Sequence, residues 1–107
     1  MNNKERIAEE GVLFADNDHR VYDRKWPFVD NLDKKKKRGV YDYELSKKLW
    51  LYYADEISKA YLKEFGREDS DFCDGTGTHA FSVAVRKLIA LHYANLYEAG
   101  DESMKKG

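Results

Sequence analysis

What the chain has little of narrows its class first. It carries one cysteine, Cys73, which excludes an intrachain disulfide and fits a reducing compartment. Its one proline, Pro27, biases Trp26 toward an extended conformation and argues against a helix running through that point. No stretch approaches the roughly 18 consecutive apolar residues of a membrane span, and MNNKERIAEEG lacks the continuous apolar segment of a secretory leader. A cytoplasmic protein with no membrane partner is expected.

An excess of one charge is also missing. The formal net charge is -1, which disfavours both a strongly basic protein that coats nucleic acid and an acidic mimic of DNA. The imbalance is local instead. Lys34, Lys35, Lys36, Lys37 and Arg38 are five cations in a row, whereas residues 66–78 hold one basic and four acidic side chains.

Chemical motifs are equally sparse. Cys73, His19, His79 and His92 form no close pair at the spacing of a zinc site, so neither a metal nor a cofactor is expected. Asp16-Asn17-Asp18 opens like a calcium loop, but Val21 stands where that loop needs glycine. No Gly-x-Ser-x-Gly elbow occurs, and no loop ends in Gly-Lys-Ser/Thr. The segment Cys73 to His79, CDGTGTH, does put a thiol in a glycine-rich loop ahead of a helix, where thiol pKa values fall and anions bind. His79 occupies the place where a phosphatase loop would carry its arginine, so bidentate phosphate recognition is lost. The simpler reading lets Gly75 and Gly77 make turns, Thr76 or Thr78 cap the next helix, and Cys73 act as a small hydrophobe. No catalytic residue is assigned, and the protein is expected not to be an enzyme.

What the chain does have is helical periodicity and aromatic mass, with eight Tyr, five Phe and two Trp in 107 residues. That length suits one domain with one core. Asn3 to Gly11 reads as a short capped helix that Gly11 stops. Val12 to Asp33 is irregular, and reads as an arm, extended or hairpin-like, that lays Leu13, Phe14, Val21, Tyr22, Trp26 and Phe28 across helices. From Asp42 to Phe65, apolar residues recur at three- and four-residue spacing between a capping Asp42 and a terminating Gly66. Thr78 to Ala99 is apolar nearly all round. Phe81, Val85, Leu88, Ile89 and Leu96 share one face with His92 at its middle, and Tyr93 and Tyr97 lie on the other. His92 therefore reads as a core histidine with a hydrogen-bond partner.

The expected fold is mainly α. Two long antiparallel helices, about residues 42–65 and 78–99, are joined by the acidic glycine-rich loop and accompanied by a short N-terminal helix and the extended or hairpin-like arm. One domain covers residues 1–100, with its arm at 1–39, and residues 101–107 form a disordered tail. The Tyr93 and Tyr97 face needs covering, either by the arm or by a second copy in a homodimer. The expected function is that of a small non-catalytic protein-interaction module, an adaptor, regulator or inhibitor of a larger protein or complex. Trp26, Phe28, Trp50, Tyr93 and Tyr97 are its candidate anchors, because aromatic side chains dominate interface energetics. The alternative is a nucleic-acid-binding accessory protein that uses Lys34, Lys35, Lys36, Lys37 and Arg38 beside the stacking rings Trp26, Tyr41 and Tyr43.

Overall fold

The structure, a computed structural model, describes residues 3–68 and 72–106. These residues are helical throughout their regular elements, with no strand among them. The elements are α1 (Asn3–Asn17), α2 (His19–Asp23), α3 (Trp26–Lys37), α4 (Tyr43–Phe65), α5 (Val83–Glu98) and a 3-10 turn (Glu102–Met104). None of the helices is long and apolar enough to cross a membrane.

The expected arm is replaced by helices, for reasons visible residue by residue. Gly11 does not stop α1. A Cβ at that position would lie 2.9 Å from Ile89 Cδ1 and 3.0 Å from Phe81 Cε2, so the missing side chain lets α1 press against α5 and the start of its chain segment. Asp18 does not turn a hairpin. Its carboxylate accepts from the backbone N–H of Arg20 at 3.0 Å and of Val21 at 3.2 Å, which starts α2 directly after α1. Pro27 sits in the first turn of α3, where the N–H it lacks would have had no partner in the helix. The basic run closes α3, where the carbonyl end of the helix dipole favours cations.

The long helix α4 is bounded by its own sequence. Asp42 accepts from Leu45 N–H at 2.7 Å, and Gly66 ends the helix at φ 64°, a conformation that glycine adopts without a Cβ clash. The start of α5 is set by tertiary contacts instead. The N–H of Phe81 donates to Ser58 Oγ at 3.0 Å and its carbonyl accepts from Arg86 Nη1 at 2.8 Å. With that backbone held by α4 and Arg86, helix begins only after Ser82, whose hydroxyl accepts from Val85 N–H. Residues 78–82 thus belong to the loop and not to the helix.

The core lies chiefly between α4 and α5, with α1, α2 and α3 closing it. Along that seam Tyr43 meets Asn95, Trp50 meets Tyr93, Asp55 meets Arg86 and Ser58 meets Phe81. Trp50 stacks on Tyr93 with centroids 5.6 Å apart, while Tyr53 meets Tyr93 edge to face at 5.2 Å. The hydroxyls of these rings reach outward and join helices: Tyr53 donates to the Val21 carbonyl at 2.9 Å, Tyr61 to Glu10 at 2.8 Å, Tyr93 to Asp16 at 3.1 Å and Tyr97 to Asp33 at 2.5 Å. The tyrosines therefore serve as core filler and inter-helix clasp at once, which is what lets so small a chain close its core.

Residues 101–106 are not the disordered tail expected of a charged C-terminus. Asp101 caps the 3-10 turn through Ser103, and Met104 is buried against the core. Gly107 lies outside the described residues, as do Asp69, Ser70 and Asp71 of the acidic connection between α4 and α5.

Candidate functional site

The aromatic candidates divide by burial. Trp50, Tyr93 and Tyr97 are buried at 0%, 1% and 5% exposure, packed on one another and on neighbouring helices of the same chain. Trp26 and Phe28 are half-buried. Phe28 lies against Trp50 and Tyr53 at 5.8 and 5.6 Å, and Trp26 meets Tyr22 edge to face at 6.0 Å. The buried Lys25 holds its ammonium 3.8 Å from the Tyr22 ring centre and 4.8 Å from that of Trp26, a cation–π arrangement. The Tyr93 and Tyr97 face of α5 is thus covered inside the chain, by α1 through Asp16 and by α3 through Asp33.

His92 is exposed, which corrects its reading as a core histidine. The buried stripe of α5 is Val85, Arg86, Ile89, Ala90, Tyr93, Ala94 and Tyr97, centred about a quarter turn from the face expected. Tyrosine and alanine occupy the centre of the seam because large rings against small residues interdigitate well. Leu88, Leu91 and His92 are left toward solvent, with His92 edge-on to Tyr93 at 5.2 Å.

The glycine-rich loop builds a polar cluster around Arg86, a residue that no motif in the sequence singles out. Asp74 accepts from the backbone N–H and the hydroxyl of Thr76 at 3.0 and 2.7 Å, and Arg86 Nη1 donates to its other oxygen at 3.0 Å. His79 Nδ1 is 3.2 Å from Asp74 and 3.0 Å from Thr78 Oγ1. Arg86 Nε lies 2.9 Å from Asp55 Oδ1, off the N–H axis, so that contact is an ion pair more than an aligned hydrogen bond. The Thr76 hydrogen bonds, with Arg86 behind them, hold the Asp74 carboxyl well below its usual pKa. Burial, reinforced by the Arg86 charge, lowers that of His79. The group clamps the loop to α4 and α5: one guanidinium ties two carboxylates and a backbone carbonyl. Thr76 and Thr78 act inside the loop and cap no helix. Among the described residues no three His, Cys, Asp or Glu side chains converge as a metal site.

The five cations end α3 and do not share one environment. Lys36, exposed itself, lays its ammonium 4.5 Å from the Tyr97 ring centre and 4.9 Å from that of Tyr41. Lys34, Lys37 and Arg38 are exposed and Lys35 is half-buried. The rings expected to stack on bases are engaged: Tyr41 donates to Glu98 and Tyr43 to Asn95. Burial, reinforced by the Glu98 bond, pushes the Tyr41 hydroxyl up to about 12. Trp26 stands at the opposite end of α3 from the cations.

A different surface brings apolar side chains together in the open. Leu13, on α1, is 63% exposed and forms a crest between two grooves. On one side Ala8, Val12 and Leu13 of α1 face Leu88 and His92 of α5 across a groove of about 410 Å³. Its rim carries Glu5, Glu9 and Asp16, and no lysine or arginine lines it. On the other side of the crest Phe14, Tyr61 and Phe65 line a groove of about 420 Å³ between α1 and α4. Phe65 there is 50% exposed, and Glu10, Asp18 and Glu64 border it together with Arg67. The arm's irregular pattern hid this surface, because only a helical α1 lines up residues 5, 9, 12, 13 and 16 along one side. No protein-family model, curated protein or solved structure matches the chain.

Proposed function

We propose that the protein is a small non-catalytic interaction module whose working surface is the Leu13 crest of α1 with its flanking grooves. The observation that carries this reading is a leucine left 63% exposed on a helix that elsewhere buries Ile7, Ala8, Gly11 and Ala15. Exposed apolar side chains gathered in grooves and rimmed by charge mark contact surfaces. In this reading α4 and α5 form an antiparallel pair that serves as the rigid platform, and α1 lies across it to meet the partner. The half-buried Trp26 and Phe28 support the platform from α3, while Trp50, Tyr93 and Tyr97 stiffen it from within.

A photo-cross-linking amino acid placed at Leu13 in the native cells should give discrete protein adducts, and the same group at Tyr52, 65% exposed on α4, should not. Adducts from both positions, or from neither, would sink the reading. A second reading, contact with nucleic-acid phosphates, is favoured by the exposed Lys34, Lys37 and Arg38 at the end of α3. It predicts salt-dependent retention on DNA or RNA that disappears when these three are neutralised.

A further inference from the structure

Resting on that reading, we infer that the groove between α1 and α5 takes a basic amphipathic helix from a partner protein. Its walls are apolar, with Ala8, Val12 and Leu13 on one side and Leu88 on the other. From Glu5 to Asp16 the α1 wall runs about 17 Å at 1.5 Å per residue, room for about three turns of a helix laid alongside it. A helix in a groove places apolar anchors at i, i+3 or i+4, and i+7, which matches a wall of that length.

The rim selects the charge of the occupant. Glu5, Glu9 and Asp16 border this groove, and across the crest Glu10, Asp18 and Glu64 border the second, against Arg67 as the one lining cation there. Glu10 and Asp16 already accept tyrosine hydroxyls, which fixes their positions and leaves each carboxylate an oxygen for a further donor. A helix with lysine or arginine beside its apolar stripe would meet the acidic α1 rim favourably, and an acidic helix would be repelled by it. The basic end of α3 from a second copy is the rival occupant, but it brings one exposed apolar residue, Val40, where three turns of groove call for several.

The test uses three labelled peptides of roughly 15 residues on the intact protein. One is a leucine–lysine helix with its leucines on one stripe, the second replaces every lysine by glutamate, and the third scrambles the first so that no stripe forms. The lysine peptide should bind at least about tenfold tighter than either control, and more weakly as salt rises. Its amide shift changes should centre on residues 5–16 and 88–92. Leu13→Asp and Glu9→Lys, both at exposed positions, should each weaken binding several-fold or more with unchanged melting, while Tyr52→Asp should leave it unchanged. Equal binding of the lysine and glutamate peptides at this groove overturns the basic-helix inference and leaves the interaction surface standing. Shift changes centred elsewhere, or indifference to Leu13→Asp, overturn the groove. Self-association lost on neutralising Lys34 to Arg38 would make the second copy the occupant and overturn the inference as well.

Discussion

Two neighbouring residues on α5, Leu88 and Ile89, separate packing from recognition. Ile89 is fully buried against α1, whereas Leu88 is half-buried on the wall of the groove. Ile89→Ala should cost about 2–5 kcal/mol of stability, because it removes buried methylenes and leaves a cavity. Leu88→Ala should cost well under that and act on partner binding instead. Chemical denaturation of the two variants checks the contrast, and equal losses would contradict it. Tyr93 carries a different weight at the same scale. Its ring is core, and its hydroxyl is the tie between α5 and Asp16 of α1. Tyr93→Phe keeps the ring and should cost about 1.5 kcal/mol for the lost bond to a charged acceptor, measured in the same way.

Among the elements, α1 is the one whose position depends most on a single missing side chain. A Cβ on Gly11 would stand 2.9 Å from Ile89 Cδ1 and 3.0 Å from Phe81 Cε2, too close unless both side chains give way. In a solvent-facing helix Gly→Ala would stabilise by up to about 1 kcal/mol. Here the added methyl must displace two buried side chains, so Gly11→Ala should instead destabilise by about 1–3 kcal/mol. A raised melting temperature for that variant would show that α1 does not press on α5 at this point. Because α1 carries the Leu13 crest, the variant should also weaken whatever docks there. The spacing of apolar residues could not reveal this, since a glycine after a short polar helix reads equally as a stop and as a close approach. Asp42 and Gly66, by contrast, were legible as the ends of α4, because a cap is a local hydrogen bond and a left-handed glycine is a local conformation.

For the whole molecule, ionisation sets the limits of stability on both sides. The His79 pKa is lowered in the fold, so the unfolded chain takes up that proton first. The stability it confers is complete above the ordinary value of 6.5 and drains away as pH falls from there through the folded value. Asp74 acts lower. Its carboxyl is held below the ordinary 3.8, so its contribution persists above that value and is lost only as pH falls further. Melting followed from about pH 7 down to about pH 3 should therefore decline in two stages, and His79→Gln should abolish the upper one alone. On the alkaline side Tyr41, Tyr53, Tyr61, Tyr93 and Tyr97 all have raised values, with burial the leading cause. The unfolded chain ionises them first, so stability holds below 10.0 and falls as pH rises past it. Tyrosinate absorbance from these rings should rise together with the loss of helical signal, and ionisation well ahead of unfolding would contradict the burial.

By itself, the sequence determined the helical class, the caps of α4 and, among the described residues, the absence of any helix apolar enough for a membrane. Each of these follows from neighbours within a few residues of one another. Tertiary structure alone decided the rest. Whether Gly11 stops a helix, whether Pro27 ends one or begins one, and where α5 starts all depend on atoms contributed by distant parts of the chain. Which arc of α5 is buried was undecidable from periodicity, because leucines, alanines and tyrosines surround that helix and any arc could have served. Tyr93 and Tyr97 settled the matter by filling the seam while their hydroxyls found Asp16 on α1 and Asp33 on α3. That rotation turned His92 and Leu88 outward and, with α1 laid beside them, made the groove.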